Sequence, residues 1–172
     1  MLDFSQELAL QIPRLRRYAR ALTRNAAWAD DLVQDTLERA LRRRWLFRIQ
    51  GNLVPWLMTI LYRLYLNEAA RNSRQQDQAM DAVAVMPESA GTDDYGWQID
   101  MERALACLTP EHRAVVVLVG LEQMSYHEAA QILDVPAGTV MSRLARARSQ
   151  LRAILSGQTE MSATPAYLSR VK

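Results

Sequence analysis

Cysteine is almost missing from this 172-residue chain, where Cys107 stands alone. One thiol excludes an intramolecular disulfide and any metal site built on several thiolates, and it suits a reducing compartment. Histidine is nearly as scarce. His112 and His127 are too isolated to argue for a metal centre or a catalytic pair, so surface or capping roles are expected of them. Six glycines and six prolines leave long stretches without a breaker, which argues for helices over a sandwich or barrel. No glycine-rich loop suits a phosphate and no nucleophile sits beside a base, so the expectation is no enzyme, no cofactor and no metal. No apolar run approaches the length of a membrane span, and MLDFSQELALQIPRLRR lacks the pattern of a secretory signal. A cytoplasmic protein without membrane insertion is expected.

A composition of 49% hydrophobic and 23% charged residues gives enough apolar material for one ordinary core or two small ones. Two small helical domains fit better. The formal net charge of +2 hides an uneven distribution, for twenty of the twenty-one basic residues are arginine and they cluster on either side of an acidic stretch.

The most informative stretch is Ser125 to Arg152, SYHEAAQILDVPAGTVMSRLARARSQLR. Ser125 with Glu128 forms a capping box, so a helix starts at about Tyr126 and buries Ala129, Ile132 and Leu133. Pro136 then suits the first turn of a second helix. There Val140, Leu144, Ala147 and Leu151 recur at helical spacing and leave Ser142, Arg143, Arg146 and Arg148 on other faces. Thr139 to Arg152 holds four arginines and no acid, as suits a helix lying between phosphates and offering guanidinium forks to guanine edges. An ordinary solvated helix closing a bundle has the same spacing. The capped helix and turn in front favour the DNA-reading alternative.

Earlier in the chain, Leu8, Leu15, Tyr18, Ala19 and Leu22 follow helical spacing, with Pro13 starting or kinking the second half of that helix. A second helix follows Asn25, with Trp28, Leu32, Val33, Thr36, Leu37, Ala40 and Leu41 as its buried stripe. Its other side runs from Asp30, Asp31, Asp35 and Glu38 to Arg39, Arg42, Arg43 and Arg44. The pairs Asp35 with Arg39 and Glu38 with Arg42 make this either a self-stabilised solvated face or a surface for a basic partner. After a loop at Gln50, Gly51 and Asn52, Pro55 opens a long helix whose core stripe is Leu57, Ile60, Leu61 and Leu64. Trp56, Tyr62 and Tyr65 cannot all share that stripe, and Arg63, Arg71 and Arg74 lie among them. Such aromatics either complete a small core or stack on unpaired bases. Asp77 to Asp100 carries six acids and no base, which marks a flexible acidic linker. Beyond it, Ile99, Ala104, Leu105 and Leu108 mark a helix, and Thr109 and Pro110 cap and start the next. AVVVLV, Ala114 to Val119, has strand propensity. A lone strand would have no partner here, so helix is expected.

These residues carry a resemblance. The run GTVMSRLARAR, Gly138 to Arg148, resembles the second DNA-binding domain of bacterial RNA polymerase sigma factors of the extracytoplasmic-function type; ADDLVQDTLERA, Ala29 to Ala40, resembles the segment by which they dock on the beta-prime clamp; and NLVPWLMTILYRLYLNEAAR, Asn52 to Arg71, resembles their promoter-melting helix. The resemblance implies an all-α fold with a region 2-like domain over 1–74, an acidic linker over 75–96, a region 4-like helix-turn-helix domain over 97–155 and a polar tail over 156–172. It implies minus-thirty-five contacts at Thr139, Ser142, Arg143, Arg146 and Arg148, minus-ten contacts at Asn52, Trp56, Tyr62, Arg63, Tyr65 and Arg71, and docking through Asp31, Gln34, Asp35 and Glu38. Its partners would be core RNA polymerase, through the clamp and the beta flap, promoter DNA and an anti-sigma factor. Met141 stands where many relatives carry a basic residue, Arg63 where asparagine is usual, and Asn67 where many have aspartate. Two other functions use the same parts: a stand-alone helix-turn-helix regulator, and a sigma mimic that titrates an anti-sigma factor.

Overall fold

The computed structural model describes residues 3–50, 52–78, 101 and 103–156. All regular structure among them is helical. Helix α1 (Phe4–Thr23) is opened by a reciprocal capping box between Asp3 and Gln6, runs through Pro13 without ending, and stops where Arg24 takes a left-handed conformation. It buries Leu8, Leu15, Tyr18, Ala19 and Leu22, the stripe the spacing predicts. Helix α2 (Ala26–Arg42) starts at Asn25, whose side chain accepts from the Trp28 backbone N–H at 2.8 Å. Its stripe is narrower than predicted. Trp28 and Leu37 are half-buried and Leu41 is 47% exposed.

A short helix α3 (Arg44–Gln50) occupies what the sequence reads as the tail of α2 and a loop. It supplies Phe47, which packs between Phe4 of α1 and Trp56 with ring centroids 5.5 and 5.9 Å away. Helix α4 (Leu53–Gln78) is the central rod; it starts two residues before Pro55 and continues past the expected boundary at 74. It packs on α1, α2 and α3. The remainder of the expected linker, 79–96, and of the tail, 157–172, lies outside the described residues.

In the second half, residues 103–106 are helical (α5), and Thr109 caps helix α6 (Pro110–Val116), with proline at its start. The β-branched run is helical, as expected. Beyond Val116 it widens into a π-turn, Val117–Leu121, with the Glu122 N–H donating to the Val117 carbonyl at 2.9 Å. Helix α7 (Tyr126–Leu133) and helix α8 (Ala137–Leu155) follow, separated by Asp134 in the left-handed region. Pro136 is the residue before α8 and not its first turn.

The two halves share one apolar core. Tyr18, Leu22, Leu57 and Leu61 of the first belong to the same buried cluster as Val115, Leu118, Ile132 and Leu144 of the second. Helix α4 packs on α7, and α1 packs on α6 and the π-turn.

Candidate nucleic-acid interface

The helix-turn-helix is built from local chemistry. Ser125 Oγ accepts the Glu128 N–H at 3.2 Å, and Glu128 Oε2 accepts from the Ser125 N–H at 2.9 Å and from its hydroxyl at 2.8 Å. The bond from the Ser125 backbone, with that from its hydroxyl, holds the Glu128 carboxyl below the ordinary glutamate range. Helix α7 buries Ala129, Ala130, Ile132 and Leu133, and α8 buries Val140, Leu144, Ala147 and Leu151 against it and α6. That leaves Ser142, Arg146 and Arg148 exposed and Thr139 half-exposed. Ser142 Oγ donates to the Thr139 carbonyl at 3.1 Å. Met141 is 50% exposed, so the departure from the basic pattern leaves a thioether on the surface.

Arg143 differs from its neighbours. It is half-buried, and its charge bears on the hydroxyl of Tyr62, across on α4. Arg143 and Arg146 are therefore not equally presented, although the spacing puts them on one face.

On α4 the structure shows the core alternative for the aromatics. Trp56, Tyr62 and Tyr65, which the sequence leaves either to a small core or to unpaired bases and to which the resemblance gives minus-ten contacts, are 7%, 6% and 6% exposed. Trp56 sits on Phe47, Tyr65 on Trp28 with centroids 5.6 Å apart, and Tyr62 and Tyr65 lie 6.2 Å from each other. Burial, with the carboxylate of Glu111 adding, pushes the Tyr62 hydroxyl up; burial is also the main cause for Tyr65. Spacing misses this because α4 is packed from two sides. Its own half takes one flank and α7 of the second half takes another. Arg63 and Arg71 remain exposed, and exposed Asn52 donates to Glu128 Oε1 at 3.3 Å.

The acidic face of α2 is where the spacing predicts it. Asp31, Gln34 and Glu38 are exposed and Asp35 is half-exposed. Glu38 pairs with Arg42 at 2.5 Å, whereas the expected Asp35 to Arg39 pair is absent among the described residues. Gln34 and Glu38 rim an open groove between α1 and α2 floored by Ile12, Val33, Leu37 and Leu41, closed at one end by the Arg16 to Asp30 pair at 2.8 Å. His112 and His127 bond to Gln150 and Gln131, each at 3.2 Å. The described residues hold no cluster of metal-ligating side chains, and none of their helices is long and apolar enough to cross a membrane.

Sequence reasoning misses two buried charged groups where the halves meet and one buried hydroxyl in the core. Glu122, with its side chain fully buried, accepts from Arg14 Nε at 2.7 Å and from Arg17 Nη2 at 2.9 Å. Arg113 donates to the carbonyls of Leu105 and Leu108 in its own half and of Ala21 and Leu22 at the end of α1. Tyr18 Oη is buried without a hydrogen-bond partner. No local pattern announces them, because each depends on residues about 90 or more positions apart or on a neighbour's packing.

Comparison with known proteins follows the same division. Residues 8–62 match the family described as "Sigma2 domain of PhyR", and residues 98–151 match "Sigma-70, region 4". The ECF RNA polymerase sigma factor EcfG of Rhodopseudomonas palustris is 36% identical over 150 residues, 87% of this chain and 83% of the relative. The RNA polymerase sigma factor CarQ of Myxococcus xanthus is 31% identical over 92% of this chain and 91% of its own length. Among solved structures, the sigma factor RpoE of Bartonella quintana, in complex with the anti-sigma factor NepR, superposes with a TM-score of 0.76 at 34% identity, covering 91% of this chain and 99% of that one.

Proposed function

The chain belongs to the extracytoplasmic-function family of RNA polymerase sigma factors, and from that premise we infer how its helices divide the work. It is an alternative sigma factor that directs core RNA polymerase to specific promoters, with the polymerase and promoter DNA as its partners. The family supplies specificity to a separate polymerase, so this chain acts without catalysis or cofactor of its own, and the cytoplasm is its place of work. Residues 1–74 dock on the polymerase and engage the minus-ten element, 97–155 engage the minus-thirty-five element and the flap, 75–96 connect them and 156–172 form a tail. The matches over 8–62 and 98–151 fall inside those bounds.

The observation that supports the reading best is the pairing, in one chain, of an exposed acidic face on α2 with an exposed arginine face on α8 behind a capped helix-turn-helix. Asp31, Gln34, Asp35 and Glu38 meet the clamp, where a basic partner surface would complement them. Thr139, Ser142, Arg143 and Arg146 reach base edges from the first half of α8, and Arg148 meets phosphate. Asn52, Arg63 and Arg71 meet the minus-ten strand from exposed positions, and Tyr62 and Tyr65 join them once uncovered. Trp56 supports that helix from within. An anti-sigma factor completes the set of partners, as the Bartonella relative solved with one suggests.

Run-off transcription with core polymerase on genomic fragments tests the function. Discrete transcripts that share two upstream elements are expected. DNA binding that needs no polymerase would mark a stand-alone regulator, and an inert protein that still captures an anti-sigma factor would mark a mimic.

A further inference from the structure

Helix α8 carries a large apolar side chain on the face it turns to solvent. Met141, in the second turn, is 50% exposed, and Gly138, Ser142, Ala145 and Arg146 around it are exposed as well. At 100° per residue, counted from Val140 in the buried arc, that face divides lengthwise into two flanks. Thr139, Ser142 and Arg146 lie at roughly 200° to 260°, with Arg143 at roughly 300° on the border of the packed arc. Gly138, Met141 and Ala145 lie at roughly 100° to 160°, and Arg148, two turns after Met141, at roughly 80°. The first flank is polar throughout. The second is apolar near the start of the helix and cationic further along.

The two flanks suit different atoms. A helix that fills a major groove about 12 Å wide turns one side toward each strand. Arginine and the hydroxyl residues of the first flank can hydrogen-bond to base edges, whereas Met141 has no donor and only a weak acceptor. Set against a guanine oxygen or an exocyclic amine, it would leave that group without a partner. The one group in the groove that it covers without that cost is the C5-methyl of thymine. Its unbranched, polarizable chain can settle on a methyl in more than one rotamer. The flank is also open to an incoming duplex, for a Cβ added at Gly138 would meet nothing within 4 Å.

Taken with the functional reading of α8, on which this rests, we propose that Met141 is a specificity residue that reads thymine methyl groups, on the strand of the minus-thirty-five duplex opposite the one whose bases face Arg143 and Arg146. Arg148, on the same flank as Met141, then holds a phosphate of the thymine-bearing strand. The element this helix prefers carries guanines beneath the arginines on one strand and, at neighbouring base pairs, thymines on the other.

The test removes single methyl groups from a promoter obtained by run-off transcription. Each thymine of the minus-thirty-five duplex is replaced in turn by deoxyuridine, which keeps the base pair, and the affinity of the reconstituted holoenzyme is measured. Loss of the methyl at one or two positions, all on one strand, should weaken binding about fourfold, the ratio that corresponds to burying one such group. Met141→Ala should weaken binding to the thymine duplex by at least as much and should bind the thymine and deoxyuridine duplexes equally, while Met141→Leu should keep the difference. Met141 is exposed in the free chain, so neither change should move Tm. Methyl sensitivity that persists in Met141→Ala, or that falls equally on both strands, would overturn the inference. A loss of affinity for core polymerase without loss of methyl sensitivity would overturn it too, by making Met141 a contact for protein. Full base-pair substitutions in the same series keep the two levels apart. If they change affinity and the methyls do not, α8 reads the element and only the role of Met141 fails; if no substitution in the minus-thirty-five region matters, the reading of α8 fails and the role of Met141 with it.

Discussion

Helix α8 buries only Val140, Leu144, Ala147 and Leu151, an arc of roughly 60° at the helical 100° per residue, whereas α4 buries Trp56, Leu57, Met58, Leu61, Tyr62, Leu64 and Tyr65 across roughly 240°. Both helices carry side chains suited to DNA. One displays most of them and the other hides its aromatics, and the difference lies in how many neighbours each helix has. Helix α8 rests on α6 and α7 and turns the rest to solvent, while α4 is flanked by α1, α2, α3 and then α7. An arginine on a helix packed along one side is exposed unless, like Arg143, it borders the packed arc. An aromatic on a doubly packed one becomes available only when a neighbour leaves.

The sharpest break of this comparison is at Trp56. If it is a packing residue, Trp56→Ala should cost about 3–5 kcal/mol of stability, read as a large fall in Tm. An unchanged Tm together with slow open-complex formation, rescued by a template already mismatched at the minus-ten region, would return it to the strand-holding set.

On α8 the expected cost is smaller and falls on binding. Arg143→Ala and Arg146→Ala should each weaken holoenzyme affinity for the promoter by about 1–3 kcal/mol and relax preference at one or two base positions. Arg148→Ala should weaken all sequences alike and reduce the salt slope by about 1. A panel of single-base promoter variants at two salt concentrations separates the two patterns, and uniform loss for Arg143 and Arg146 would make them positioning residues.

Helix α2 supplies an exposed face of the opposite charge. Asp35→Arg with Glu38→Arg should lower affinity for core polymerase by about tenfold, on the order of 1.4 kcal/mol, with circular dichroism unchanged. Titration against core polymerase measures it, and an unaltered affinity would leave α2 as a solvated face.

The cap that aims α7 and α8 should be worth less again. Ser125→Ala should cost about 1 kcal/mol. Because the folded Glu128 carboxyl titrates lower than a free one, its contribution is present above the ordinary glutamate range and is lost as pH falls through the depressed folded value. Acid titration of stability should show that loss in the wild type and not in Glu128→Gln. The smallest effect belongs to Tyr18→Phe, which removes a buried hydroxyl that has no partner and should leave stability unchanged or slightly raised, as urea midpoints would show.

Much was fixed by sequence alone, wherever the cause is local. The stripe of Leu8, Leu15, Tyr18, Ala19 and Leu22, the caps at Asn25, Thr109 and Ser125, the helical state of the β-branched run and the exposed arginines of α8 all follow from spacing and neighbouring side chains within a turn or two. Helix α3 escaped, being seven residues long without a capping signal. The burial of Tyr62 and Tyr65, the half-burial of Arg143 and the gripping of Glu122 were decided by the tertiary structure. Each depends on α1 and α4 meeting α6 and α7 across residues far apart in the chain, and helical periodicity reports how one helix faces a core, not how many cores it faces.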